Sequence, residues 1–303
     1  MSESTPAEEA ATEVFVAHRE LLFSVVYGML GLVADTEDVL QETWLAWAAR
    51  AGAADGAEIE SPRAYLVRIA VNKALARQDA VRRRRETYVG PWLPEPLLTP
   101  EVVVGDASGE VERGESVSMA LLVVLETLTP VERAVFVLHE VFGYRHTETA
   151  AILGRSPSAV RQLAHRAREH VQARRPRFQT DPLVRRRVTE RFAAAVSGGD
   201  LAELLEVLAP EVVMWADGGG KATAAGRQPV HGRDLVAELL LRGGSRNASR
   251  LRVVFGRVNG DPSALLYAGD GPFAVLVLEL APDSDLVTGI YFVTNPDKLA
   301  HLG

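Results

Sequence analysis

The chain has 303 residues, with 33 Lys and Arg against 40 Asp and Glu for a formal net charge of -7, 47% hydrophobic residues and no cysteine. That length accommodates two or three domains with separate cores, and the acidic balance excludes a general nucleic-acid coat protein while permitting local basic faces. Without cysteine there is no disulfide framework or thiolate metal site, which suits a cytoplasmic protein; neither a signal peptide nor an apolar run able to span a bilayer is legible.

Residues 13–88 read as all-helical. Phe15, His18, Leu21, Leu22, Val25, Val26 and Met29 recur at helical spacing, and Gly31 closes that helix. Asp35 is placed to cap the next helix, with Asp38 three residues on. There Val39, Leu40, Trp44 and Trp47 form an apolar stripe, and Glu37, Asp38, Gln41 and Glu42 lie largely opposite. Ala51 to Glu60 is a small acidic loop. Ser61-Pro62 then restarts a helix that runs into Arg82, Arg83, Arg84 and Arg85. Beyond Tyr88 the periodicity stops, because the prolines of Trp92-Leu93-Pro94-Glu95-Pro96-Leu97 remove donors and restrict their predecessors. A purely flexible spacer has no need of a tryptophan and leucines between prolines, so this linker is expected to dock on another surface.

The second helical unit spans Glu112 to Ala173 and contains a helix-turn-helix. Gly154 ends one helix; Ser156 and Pro157 suit the N-cap and first position of the next, whose Ala159, Val160, Leu163 and Ala167 return at helical spacing. Between Arg155 and Arg177 stand seven arginines and one acid, Glu169. Such a face fits phosphates and base edges. Ser156, Ser158, Arg161, Gln162 and His165 are the outward candidates for bases, and Arg166 and Arg168 for phosphate. Arg145 and His146, just before, are candidates for flanking phosphates. His139 reads as structural.

From Pro182 the pattern changes to helices at Val184–Ser197 and Leu201–Leu208, a strand at 212–216, the segment Asp217-Gly218-Gly219-Gly220-Lys221, and a helix from Gly232 to Arg242. Strands follow at Ser249–Val258, Ser263–Ala268, Phe273–Glu279 and Leu286–Thr294, before Asn295-Pro296-Asp297-Lys298-Leu299. Helices followed by hairpin-linked strands predict an α+β domain with a curved antiparallel sheet. The glycine segment is not a phosphate loop, since it lacks that motif's spacing.

Together these elements resemble bacterial extracytoplasmic-function (ECF) RNA polymerase sigma factors, more narrowly the ECF41-like group with a fused C-terminal SnoaL-like (NTF2-like) domain. Ala34 to Trp44 carries the broad match; Trp92–Leu97, Asp217–Lys221 and Asn295–Leu299 carry the narrow one. The resemblance implies sigma region 2 at 11–88, a linker at 89–111, sigma region 4 at 112–175 and a regulatory domain at 182–303. The implied fold is thus two all-α domains followed by a SnoaL/NTF2-like cone. Asp35, Glu37, Asp38, Gln41 and Glu42 would meet core RNA polymerase, at the clamp helices of its β′ subunit, with the β subunit as a further partner. Arg63, Tyr65, Asn72, Lys73, Arg77 and Arg82 to Arg85 would serve the -10 promoter element, and the recognition helix the -35 element. The acidic 51–60 loop has no aromatic residue, which departs from the family's base-capturing loop. Trp92, Leu93, Pro94, Glu95, Pro96, Leu97, Asp217, Gly218, Gly219, Gly220, Lys221, Asn295, Pro296, Asp297, Lys298 and Leu299 would form an interdomain regulatory contact.

The expected partners are therefore core polymerase and promoter DNA, with no membrane, cofactor or metal; an unidentified small ligand or further regulator of the last domain stays open. Two other readings stand beside this one: a helix-turn-helix regulator with a ligand-sensing domain, and a DNA-tethered isomerase or cyclase. Catalysis would need a constellation that Asp217, His231, Asp234, Asp270 and Tyr291 do not visibly form.

Overall fold

The computed structural model describes residues 6–51, 59–99, 117–174, 181–222, 226–247, 250–282 and 284–303. The chain separates into two compact units, and neither is a single stretch of sequence. The first comprises residues 1–84, 106–117 and 124–174; the second comprises 85–105, 118–123 and 175–303.

In the helical unit, α1 (Pro6–Leu30) and α2 (Val33–Ala51) pack as a pair, followed by α3 (Pro62–Glu86). The apolar stripe read from the sequence is the core: Leu22, Val25, Val26, Met29, Val39 and Leu40 are all buried. Trp47 is buried too, and its indole donates to the Ala11 carbonyl at 2.8 Å. Asp35 does not cap α2. It lies inside the first turn, 4% exposed, where its carboxylate serves arginines of α3. α4 (Met119–Leu125) is divided between the units, its residues through Val123 belonging to the second; beyond it a capping box of Thr129 and Glu132 starts α5 (Pro130–Phe136), which continues into a π-helical turn at Val137–Val141. Then α6 (His146–Leu153) ends at Gly154, whose φ of 62° is the left-handed conformation that favours glycine. The recognition helix, α7 (Pro157–Arg174), buries Val160, Ala164, Ala167 and Val171 against its neighbours.

In the second unit, α8 (Pro182–Gly198) and α9 (Leu201–Val207) are capped by Asp181 and Asp200. They lead through β1 (Leu208–Asp217) and the short β2 (Val230–His231) to α10 (Arg233–Asn247). Strands β3 (Leu251–Val258), β4 (Asp261–Ala268), β5 (Gly271–Leu280) and β6 (Val287–Val293) follow, before the single turn α11 (Pro296–Leu299).

The expectation of a curved antiparallel sheet forming a cone is corrected by the topology. The six strands make one open sheet in the order β2-β1-β6-β5-β4-β3, and β1 runs parallel to β6, with Met214 opposite Ile290 and Asp217 opposite Val293. Hairpin signals specify the antiparallel β3 to β6 run. The pairing of β1 with the last strand is long-range and needs a crossover, which no local turn signal encodes. Alternation along the strands gives the sheet two different faces. Met214, Ala264, Leu276, Leu278 and Ile290 meet α8, α9 and α10; Leu265, Val275, Val277, Tyr291 and Val293 point the other way and bury Leu93, Met119 and Ala120.

Candidate functional site

In the helical unit, α3 turns a row of bases toward the acids of α2. Arg77 Nε donates to Asp35 at 2.6 Å, and its other nitrogens reach Asp38 and Glu42. Lys73 pairs with Glu42 at 3.1 Å, Arg84 with Asp35 at 2.7 Å, and Arg19 of α1 with Glu37 at 2.7 Å. Residues assigned from the sequence to two different partners are thus brought together and neutralise one another, and the bond to Asp35 holds the Arg77 guanidinium above its ordinary pKa. Gln41 is exposed beside them. Asn72 is exposed and donates to the Arg68 carbonyl at 2.8 Å, with a longer bond to that of Ile152. Tyr65 lies against Trp47, with ring centroids 6.0 Å apart, and Arg63 sits over the Tyr144 ring. Arg82 and Arg83 are exposed at the end of α3.

On the recognition helix, Ser156 caps through its hydroxyl, which accepts from Ala159 N at 3.2 Å. Ser158, Arg161, Gln162 and His165 are exposed, as a reading face requires. Arg166 is tied to Glu132 at 3.2 Å, and Arg168 to Glu140. Arg145 is exposed, whereas the His146 ring lies 4.0 Å from that of His139, and burial followed by neighbouring cations lowers its pKa. His139 itself bonds the Tyr144 carbonyl at 2.7 Å. The loop at 52–58, the linker after Thr99, and Arg175 and Arg177 lie outside the described residues.

The second unit contains the most developed polar site, and it joins all three segments that carried the narrow resemblance. Asp217, fully buried at the end of β1, accepts from the Leu93 backbone N–H at 2.8 Å, from Lys298 Nζ at 2.7 Å and from the Tyr88 hydroxyl. Lys298 Nζ also donates to the Leu93 carbonyl and stands 3.6 Å from the centroid of the Trp92 ring. One lysine and one aspartate thus satisfy both backbone groups of Leu93, the linker residue whose side chain is fully buried. Burial pushes the Lys298 ammonium down to about 8, against the pull of Asp217, and pushes the Tyr88 phenol up. Arg85 stacks over the other partner of this cluster, 4.9 Å from the Trp92 centroid.

The glycine segment makes room for this clamp. Gly219 has φ 59°, and a Cβ there would stand 2.4 Å from Asn295 Nδ2 and 3.0 Å from the Tyr88 hydroxyl; Gly220 has φ 72° and abuts Val89. Asn295 caps α11, accepting from Asp297 N at 3.0 Å, while its amide donates to Tyr88 at 2.7 Å. Lys221 pairs with Asp297 at the surface. Farther along the linker, Pro94, Glu95 and Pro96 are buried. His301 contacts Glu95 at 3.1 Å through Nδ1 and the Pro96 carbonyl at 2.7 Å through Nε2. Leu97 to Thr99 extend the sheet edge: Leu97 exchanges bonds with Asn259, and Thr99 N donates to Arg257 O at 2.9 Å.

Tyr88, Asn259 and His301 were not among the sequence-derived candidates. The Asn259-Gly260 pair signals a tight turn, but nothing local says that its side chain receives a distant linker. The five residues tested for catalysis are dispersed. Asp217 is consumed by the clamp, Tyr291 donates to Glu279 at 2.6 Å on the linker-bearing face, and His231, Asp234 and Asp270 are exposed.

Residues 14–87 match the Sigma-70 region 2 family and residues 118–171 the Sigma-70, region 4 family. The ECF RNA polymerase sigma factor SigJ of Mycobacterium tuberculosis is 36% identical over 293 residues, covering 94% of this chain and 91% of SigJ. The probable ECF RNA polymerase sigma factor SigI of the same species is 32% identical over 301 residues, covering 99% and 97%. The crystal structure of M. tuberculosis SigJ superposes with a TM-score of 0.72 at 32% identity, covering 95% of this chain and 98% of that one. A helix-turn-helix protein with both sigma-70 regions is a promoter-directed initiation subunit. More particularly, the chain belongs to the ECF RNA polymerase sigma factors. It acts in transcription initiation with core RNA polymerase on promoter DNA and is not itself an enzyme. Among the described residues, no helix is long and apolar enough to cross a membrane.

Proposed function

We propose that this sigma factor is regulated in cis by its C-terminal domain, which grips the linker between the two sigma regions, and that it belongs with the ECF41-like group carrying a SnoaL-like (NTF2-like) domain. In this reading residues 11–88 are region 2, 89–111 the linker, 112–175 region 4 and 182–303 the regulator. The observation that carries it is the double anchorage of Leu93 by Asp217 and Lys298. A regulator on the same chain acts at high effective concentration, so a modest contact suffices to bias how the DNA-binding regions are presented.

The surfaces follow from the residues. The acidic face of α2, with Glu37, Asp38, Gln41 and Glu42, suits the β′ clamp helices, and the β subunit meets the remainder of the sigma module. The α3 arginines serve the -10 element. Arg161 is the leading reader of the -35 element, where a bidentate bond to guanine is available to it; Arg166 and Arg168, already paired, set the helix on its support. The linker contact has either sign of effect available: docking orients the DNA-binding regions productively, while the body of the domain restrains them.

Transcription in vitro with purified core polymerase tests this. Removal of everything after Arg177 is expected to abolish or severely weaken promoter-directed RNA synthesis, whereas removal of the tail from Asn295 onward is expected to loosen control and raise output. Unchanged output from both truncations overturns regulation in cis.

A further inference from the structure

The helix-facing side of the sheet in the second unit holds a cavity that the linker clamp does not use. It encloses about 250 Å³ between α8, α10 and the strands, with Phe192, Met214, Ala264, Leu276 and Phe292 among its walls. None of the described residues lining it is charged. Ser197 and Gln228 are the lining side chains with hydrogen-bonding groups, and both are solvent-exposed, which places the polar part of the lining at the mouth.

Such a volume is not an ordinary packing defect, because interiors pack at crystal density and leave few voids larger than a water molecule. The chain also declines inexpensive ways of filling it. Ala193, Ala216 and Ala264 line it where larger apolar residues are common in cores. Two adjacent glycines of α10 border it, although glycine weakens a helix. Gly244 has a packing reason, since a Cβ there would stand 2.6 Å from the Val196 carbonyl oxygen. Gly243 has none: a Cβ there would meet nothing within 4 Å. Its effect is to leave the opening unobstructed.

We propose that this cavity is a binding site for an uncharged, predominantly apolar small molecule, with at most one hydrogen-bonding group, presented at the mouth. A cavity of about 150 Å³ accepts benzene, so this one suits a fused bicyclic ring or a medium-length alkyl chain. A carboxylate or ammonium group would be desolvated there without a partner. The site also lies one residue away from the linker's seat on every strand that matters. Ala264, Leu276 and Phe292 face the cavity, while Leu265, Val275, Val277 and Tyr291 face Leu93's side of the sheet. Occupancy therefore shifts the packing of the linker, an effect that rests on the regulatory reading above; the binding itself does not.

The test uses the full chain and defined probes: 2-naphthol, indole and 1-octanol as neutral ligands, and 2-naphthoate as the charged counterpart of the first, followed by calorimetry. At least one neutral probe is expected to bind saturably at one site below roughly 1 mM, and 2-naphthoate about tenfold more weakly or worse than 2-naphthol. Gly243→Leu, which plugs the mouth, and Ala264→Val, which fills the floor, are each expected to weaken binding about tenfold or more with the melting temperature preserved in at least one of them. No saturable binding by any neutral probe, equal binding of naphthol and naphthoate, or binding indifferent to both substitutions overturns the site. Hydrogen exchange at the Leu93 amide is read at probe saturation. A change of about threefold or more is expected; no change, with binding intact, overturns the coupling to the linker and leaves the transcription test of regulation standing by itself.

Discussion

The Asp217–Lys298 pair shows how much depends on the partner that a buried charge retains. Asp217 is fully buried and the Lys298 side chain is 5% exposed, so neither charge has water to fall back on. Lys298→Met is expected to destabilise the second unit by about 3 kcal/mol, because it strands a buried carboxylate. Asp217→Asn in the same chain should restore part of that loss, since two neutral groups no longer need each other. Urea unfolding of Lys298→Met, Asp217→Asn and the double variant measures it; additive losses would mean the pair is not coupled. His301 supplies a second residue-scale test. Its two ring nitrogens face the Glu95 carboxylate and the Pro96 carbonyl, and the bond to Glu95, with that to Pro96, raises its pKa against the opposing effect of burial. A group whose folded pKa is raised gives stability that is complete below about pH 6.5 and fades as pH climbs through the folded value. Linker protection from hydrogen exchange should therefore weaken from pH 6 toward about pH 8, and His301→Gln should flatten that dependence.

Among the elements, the glycine turn after β1 separates conformational from steric need. Gly199, the C-cap of α8, has φ 73° but open space around its Cα. Replacing it by alanine is expected to cost about 1 kcal/mol. Gly219→Ala carries the same backbone strain and also drives a methyl into Asn295 and Tyr88. It is expected to cost well over ~2 kcal/mol and to expose the linker to limited proteolysis; equal losses at the two glycines would remove the turn from the clamp. The same elements show where sequence reading succeeds and fails. The helices of the first unit were legible because each has a local stripe and a local punctuating residue, as Val39, Leu40 and Trp47 do with Gly31 ahead of them. The recognition helix was legible down to its Ser156 cap. The parallel β1–β6 pairing was not, because its partners are some eighty residues apart and no turn links them. Nor was the mutual neutralisation of Asp35 and Arg77 visible, since each residue type also suits an outside partner. The linker's need for a seat could be read from Trp92 and its prolines, whereas Tyr88 and His301, which complete that seat, carry no motif of their own.

Over the whole molecule, domain order in the sequence is not the order of compact units. Residues 85–105, which begin at the end of the region 2 match, and residues 118–123, which open the region 4 match, belong to the same compact unit as the C-terminal domain. The segment after the region 2 match, as far as it is described, therefore belongs to the same unit as the C-terminal strands. Under the regulation in cis proposed above, the C-terminal domain acts on promoter recognition through this segment, without any need to touch DNA. In the same reading, the sheet carries the linker on one face and borders the apolar cavity with the other, so a ligand in the cavity would make that control conditional.

The most direct measurement is promoter-specific transcription by core polymerase supplied with equal amounts of the intact chain or of Lys298→Met, at a temperature where both remain folded. Control through the clamped linker predicts that output at a selected promoter changes by about threefold or more while association with core polymerase stays the same. Identical output from the two proteins, with the Leu93 amide demonstrably released in the variant, would contradict it.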